Sequence, residues 1–241
     1  MTMNTWKNNN VLTRIKESYF LEDADNKKSG LPTDAKPVGG TIFYIDNEAD
    51  GTYEFFDVGG NVIENVQVGD RPYAYRVVST GSKDKYYVYN DKLHKGSWTY
   101  YKNGDRVYES LDTPTDIGSG KINTEILMAK DNGAYITADA KGKPTIWYQL
   151  QQTRLAKAGG CGDWFIPSKG EIEKLRLAVK SGSITGGAVA GSSYYASAFM
   201  ERIWSSSEFN PQCAWGWSYN CQCWSDPYKH SSNFVFFTRA F

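Results

Sequence analysis

The stretch from Ile203 to Phe241, IWSSSEFNPQCAWGWSYNCQCWSDPYKHSSNFVFFTRAF, decides how the chain is read. Ile203-Trp204-Ser205-Ser206-Ser207-Glu208 reads as a tight, hydroxyl-rich turn. Ala214-Trp215-Gly216-Trp217-Ser218-Tyr219 alternates large and small residues, the pattern of a half-buried strand. Phe234-Val235-Phe236-Phe237-Thr238-Arg239 is an apolar, β-favouring run. Between them, Asn220 to Asn233 is rich in turn formers and carries Cys221, Cys223, Trp224, Pro227, Tyr228 and His230, with Asp226 and Lys229 as its charged residues. Two strands therefore hold a long loop. That loop is too aromatic for an idle linker and too poor in acids and bases for an evident active site.

The chemistry-bearing residues do not form a reactive constellation. The two histidines, His94 and His230, lie in different regions. A serine nucleophile needs a base to activate it, so Ser205-Ser206-Ser207-Glu208 reads as structural, its hydroxyls and carboxylate holding a turn below the loop. Gly118-Ser119-Gly120-Lys121 lacks the spacing of a phosphate-binding loop. Cys161 stands apart from Cys213, Cys221 and Cys223. Cys221-Gln222-Cys223 has one intervening residue where zinc sites favour wider pairs, and a fourth ligand would have to be His230 or Cys161. The expectation is no metal and no cofactor, with free thiols ahead of a disulfide. In an oxidising compartment a disulfide ranks ahead of a metal site.

The 241 residues suffice for one large domain or two small ones. Lys and Arg together number 27, as do Asp and Glu, so no basic excess points to nucleic acid or an acidic membrane surface. No apolar run suggests membrane insertion, and the first thirty residues lack the pattern of a signal peptide. Release in a phage virion, or display on a cell surface through another component, is the location compatible with those features.

Residues 1–36 read as a polar N-terminal extension, with Leu31-Pro32 and Lys36-Pro37 breaking any helix. Val38 to Asp46 is the first strand, apolar on both faces and so central to a sheet. Residues 47–110 read as a β-rich insertion. Thr52 to Asp57, Gly59-Gly60 and Asn61 to Val66 give a hairpin signal. Strands are expected at Pro72 to Val78, Tyr86 to Tyr89 and Trp98 to Tyr101, with Asn103-Gly104-Asp105 as a turn. The nine tyrosines from Tyr53 to Tyr108 read as strand-face packing ahead of a second recognition surface. Ile122, Ile126 and Leu127 sit at helical spacing, and Asn132-Gly133 ends that element. Pro144 suits the first turn of a helix carrying Ile146, Trp147, Leu150 and Leu155. Ser168-Lys169-Gly170-Glu171 is a capping box ahead of Ile172, Leu175 and Val179. Gly182 to Ser193 reads as a mobile loop. The fold class is α+β, with two helices against a sheet.

Asp163-Trp164-Phe165-Ile166-Pro167-Ser168, Ile203 to Glu208, Ala214-Trp215 and the closing Phe234 to Phe241, in that order, resemble the variable proteins of diversity-generating retroelements. Gly39-Gly40-Thr41-Ile42-Phe43-Tyr44-Ile45-Asp46 and Ile117 to Thr124 are similar to the same broad group. The resemblance covers 37–241 and implies a C-type-lectin-like fold whose first strand pairs with the last, Asn233 to Arg239. It also implies a hypervariable region at about 203–241, altered at adenines by error-prone reverse transcription. Asparagine codons altered in this way can give cysteine but not Trp, Gln, Lys, Glu or Met. Gln212, Trp215, Trp217, Gln222, Trp224 and Lys229 are then fixed framework.

The function so implied is ligand binding (receptor recognition) without turnover. The expected face is Phe209, Asn210, Pro211, Cys213, Tyr219, Cys221, Ser225, Asp226, Pro227, Tyr228, His230, Ser231 and Ser232. The expected partner is a macromolecule, a cell-surface protein or a glycan. An alternative is an unvaried adhesion or lectin-like domain binding carbohydrate, although Asn210-Pro211-Gln212 and Asp226 are a thin calcium ligand set. A further alternative on the same scaffold is an enzyme of the formylglycine-generating type, with Cys213 and Cys221 in the comparable region.

Overall fold

Tyr87, Val88 and Tyr89 are all buried, at 2%, 0% and 1% exposure, and they lie in the middle of a three-stranded antiparallel sheet. In the computed structural model of the chain, this strand is β6 (Lys85–Tyr89), flanked by β2 (Thr41–Asp46) and β14 (Thr238–Ala240). Alternation along a strand sends successive side chains to opposite faces. Val88 joins a core with Ile42, Leu127, Ile146, Trp147 and Leu150. Tyr87 and Tyr89 join another with Phe43, Ile172, Leu175 and Phe236. The structure describes residues 30–46, 53–79, 85–90, 92–103, 105–136, 144–185, 202–218 and 223–241.

The first strand and the last therefore do not pair with each other, contrary to the expectation. Each pairs with β6: Ile42 with Val88, and Thr238 with Tyr89. A Tyr-Val-Tyr run with apolar partners on both faces needs that central position. Gly40 permits the crossing, because a β-carbon there would lie 2.1 Å from the Tyr89 carbonyl oxygen.

A second antiparallel sheet runs in the order β1 (Lys36–Pro37), β5 (Ala74–Val77), β3 (Tyr53–Phe56), β4 (Val62–Ile63). The expected hairpin is β3–β4, closed by the Asp57 carboxylate accepting from the Gly59 and Asn61 amides at 2.7 and 2.9 Å. The expected tyrosine-rich strands pack as anticipated in part. Tyr75 stacks on Phe241 at 4.0 Å, and Tyr53 meets Tyr86 edge-on at 5.3 Å. Trp98 to Tyr101 is not one strand. The pairing residues there are β7 (His94–Gly96), followed by a two-stranded ribbon of β8 (Tyr101–Lys102) and β9 (Asp105–Arg106) with Asn103 in the left-handed conformation.

Among the described residues there are three α-helices, not two: α1 (Ser119–Ala129), α2 (Ile146–Leu155) and α3 (Lys169–Lys180). The fold is mixed α+β. Helix α1 gives way to a 3-10 turn at Lys130–Ile136, before Asn132-Gly133. Its Ile122 and Ile126 are exposed, and the inward face carries Asn123, Thr124 and Leu127 instead. Asn123 donates to the Pro114 carbonyl at 2.8 Å and Thr124 accepts from the Ile166 amide at 3.0 Å, so these polar side chains are buried with partners. Thr145, after Pro144, caps α2. Ser168 and Glu171 form the expected reciprocal box at α3. Most of Gly182 to Ser193 and of residues 1–36 lies outside the described residues.

The third sheet carries the C-terminal stretch. Its order is β12 (Cys223–Ser225), β11 (Cys213–Ser218), β10 (Arg202–Asn210), β13 (Asn233–Val235), β7. The β10–β13 pairing is parallel and the others are antiparallel. Three pieces of the quoted motif order meet between this sheet and β14 of the three-stranded sheet. Phe165 and Thr238 exchange backbone hydrogen bonds at 2.7 and 2.8 Å, the Ser206 amide donates to the Pro167 carbonyl at 2.8 Å, and Arg239 pairs with Asp163 at 2.9 Å. No helix of the described residues is long and apolar enough to cross a membrane.

Candidate functional site

Ser205, Ser206 and Ser207 lie inside β10, fully buried, and not in a turn. The register of β10 against β11 slips between Trp204 and Glu208. A bulge of this kind leaves backbone groups without ladder partners, and the hydroxyls serve that region. Ser205 Oγ donates to the Trp215 carbonyl at 2.8 Å, and Ser207 Oγ to the Pro114 carbonyl at 2.8 Å. Ser207 Oγ also accepts from the Lys169 amide at 3.1 Å, which joins β10 to the start of α3. Ser206 Oγ accepts from Asn123 at 3.2 Å.

Glu208 closes this bulge. One carboxylate oxygen accepts from the Leu111 and Asp112 amides at 2.8 and 2.9 Å. The other pairs with the Lys229 ammonium, whose side chain is 1% exposed. Lys229 also donates to the Glu109 carbonyl at 3.2 Å and lies 4.6 Å from the centre of the Trp98 ring. Burial pulls the Lys229 ammonium below its ordinary pKa, and the Glu208 partner opposes that shift. The Lys229 carbonyl accepts from the Trp98 and Thr99 amides at 2.7 and 3.1 Å. The loop is thus tied at Lys229 through both side chain and backbone.

Around that tie, neighbouring side chains face outward. Tyr228 is 55% exposed and Phe209 is 46% exposed, while Pro211, Asp226 and Ser232 are exposed. Asn210, Ser225, Pro227, His230 and Ser231 are half-buried. Cys213, also expected on the face, is 7% exposed, because it sits in β11 opposite Asn210 and bridges to Tyr228. Asn210 instead caps its own turn, its side chain accepting from the Gln212 and Cys213 amides. Ser225 Oγ accepts from Arg202 at 2.8 Å. Tyr219 and Cys221 lie outside the described residues, as does Gln222.

Of the expected framework residues, Trp217 is buried, Trp215 and Trp224 are half-buried, and Gln212 is exposed. The tryptophans interleave with cations from α3. Lys169 Nζ lies 3.4 Å from the Trp215 ring centre, and the Arg176 guanidinium lies 5.2 Å from that of Trp217. Trp224 donates to Glu173 at 3.3 Å, and Phe209 meets Trp215 edge-on at 4.8 Å.

A second aromatic group joins the loop to the preceding region. Tyr228 stacks on His230 at 5.5 Å, and His230 Nδ1 lies 3.1 Å from Tyr108 Oη. Tyr108 is 38% exposed. Its tyrosine-rich surroundings gave the sole sequence signal for it. Burial, then the Arg106 charge, holds the His230 pKa below its ordinary value. His94 is not a member of this group. It stacks on Phe237 at 4.6 Å, and burial takes it down to about 4.

Cys161 and Cys213 are free thiols, and burial raises both pKa values, that of Cys161 to about 11. Cys223 is disulfide-bonded, so the expectation of free thiols does not hold there. Among the described residues no three His, Cys, Asp or Glu side chains are grouped to hold a metal ion. No protein-family model matches the chain, and no curated protein matches it.

Proposed function

We propose that the protein is a ligand-binding, receptor-recognition module without turnover. On this reading its region of about 203–241 is diversified by a retroelement and displayed on a C-type-lectin-like scaffold. The observation that carries the proposal is the sharp alternation at Tyr228-Lys229-His230. Lys229 is buried in an ion pair, while Tyr228 and His230 stack at the surface. A chain built this way can change its outer side chains while its backbone stays tied from within. Phe209 repeats the arrangement beside buried Glu208. Both β2 and β14 pair with β6, which brings the two ends of 37–241 into one sheet, although the first and last strands do not pair directly as the resemblance implies.

The test is in the DNA and in its variants. A near-copy of the 203–241 coding region, differing at adenines and lying near a reverse transcriptase gene, is expected. Variants drawn from a population should differ at codons such as those of Phe209, Tyr228 and His230 and keep Lys229 and Trp217. Equal variation at Lys229 and Trp217 would end the proposal.

A further inference from the structure

Tyr108 belongs to the stretch before the helices, yet its hydroxyl lies 3.1 Å from His230 of the C-terminal loop. Two residues before it, Arg106 ends the β8–β9 ribbon. Arg106 is exposed and donates from Nε to the Tyr101 hydroxyl at 3.3 Å, with the Tyr108 hydroxyl as its second partner. No carboxylate is among its partners in the described residues. Asp105, its neighbour in β9, is sent to the opposite face of the ribbon by strand alternation. The guanidinium is therefore held by two neutral phenols and has no counter-charge among the described residues.

We propose that Arg106, Tyr101 and Tyr108 form a fixed half of the ligand face, continuous with Tyr228 and His230, and that this half receives an acidic side chain of a protein partner. An arginine fork matches a carboxylate with two parallel hydrogen bonds. Positioning by the tyrosine hydroxyls lowers the entropy lost when those bonds form. The flanking rings suit a protein surface, since tyrosine and arginine are among the residues enriched at interface hot spots. This assignment rests on the ligand-binding reading of the C-terminal loop. It adds that part of the specificity lies outside the diversified region: a variant loop changes which partner is chosen, while Arg106 keeps the requirement for an acid.

The probe is a blocked Glu-rich peptide, titrated into the isotopically labelled full chain at low salt and followed by amide and arginine Nε–H resonances. A matched Gln peptide and an oligoglucuronate serve as the other arms. The Glu peptide should shift the Arg106, Tyr108 and His230 signals, and the Gln peptide should not. Arg106→Gln should weaken binding by at least about threefold with an unchanged melting temperature, and Tyr228→Ala should also weaken it. Binding that falls with Tyr228→Ala but not with Arg106→Gln overturns this inference and leaves the ligand-binding reading in place. Shifts confined to surfaces away from both residues count against both. A response to oligoglucuronate without one to the peptide assigns the site to an acidic glycan and overturns the protein partner.

Discussion

Lys229 and Glu208 form an ion pair in which both side chains are almost completely buried, at 1% and 4% exposure. The two residues sit on different segments of the C-terminal stretch. Their pairing fixes the loop to the bulged strand and, through the Leu111 and Asp112 amides, to the chain ahead of α1. Removing one member leaves the other charge buried without its partner, which typically costs about 3–5 kcal/mol. Lys229→Met and Glu208→Gln should each show a loss of that order in urea unfolding. The double variant should lose clearly less than the sum, because neither charge is then stranded. Additive losses would mean that the pair is not a unit.

Trp204 is 0% exposed and Trp217 is 4% exposed. The Trp204 indole donates to the Gly96 carbonyl at 3.1 Å, and Trp217 packs with Ile203 and Phe236. Trp204→Ala and Trp217→Ala should each cost about 3–5 kcal/mol through lost contacts and the cavity left behind. Trp215 is half-buried between Lys169 and Phe209, so Trp215→Ala should cost less than either. Denaturant midpoints would rank the three, and a Trp215 loss equal to that of Trp204 would contradict the observed exposure.

The capping box at Ser168–Glu171 was legible in the sequence because both hydrogen bonds are local and the residue types are specific to them. The β3–β4 hairpin was legible for the same reason. The place of β6 was not. A strand's order in a sheet is set by which distant faces it covers, and the Tyr-Val-Tyr run signals only that a strand is there. Ile122 and Ile126 misled by spacing. The opposite face of α1 won because Asn123 and Thr124 satisfy backbone groups at Pro114 and Ile166 that the sequence does not announce. In the candidate site, Tyr228 and Phe209 are exposed. The partnership of His230 with Tyr108 joins residues far apart in sequence, and only the folded chain reveals it.

Two groups, the buried Glu171 and the half-buried His94, give opposing pH dependences. Burial, then the Lys92 charge, lowers His94 from 6.5 to about 4. The unfolded chain then binds more protons between those values, so this contribution is present above pH 6.5 and is lost as pH falls toward 4. Burial raises Glu171 from 4.5 to about 7 against the amide hydrogen bonds that favour its anion. Its contribution is full below pH 4.5 and is lost as pH rises through 7. The two slopes oppose each other where the windows overlap. Glu171→Gln keeps an acceptor for the capping box and removes one slope. Relative to the parent chain, its stability should therefore fall more steeply on acidification from pH 6.5 to 4.5. Urea midpoints across that range are the measurement, and a variant that tracks the parent at every pH would refute the assignment.

The outer face should separate stability from binding. Tyr228 and Phe209 are exposed aromatics, and Asp226 and Ser231 lie on the same loop at exposed and half-buried positions. Substitutions at such surface positions usually stay within about ±0.5 kcal/mol. Tyr228→Ala, Phe209→Ala, Asp226→Ala and Ser231→Ala should therefore leave the melting temperature nearly unchanged, in contrast to Lys229→Met one residue away. Phe209→Ala also removes the edge contact to Trp215, so of the four it should show the largest thermal effect. Binding should follow the opposite order, because a few central aromatics dominate most interfaces. Against a partner selected from surface proteins or glycans, at least one aromatic change should weaken affinity by more than about 1 kcal/mol. A paired scan by calorimetry and ligand titration decides the matter. If the four variants unfold the protein while per-molecule binding stays intact, the loop is core and not a recognition face.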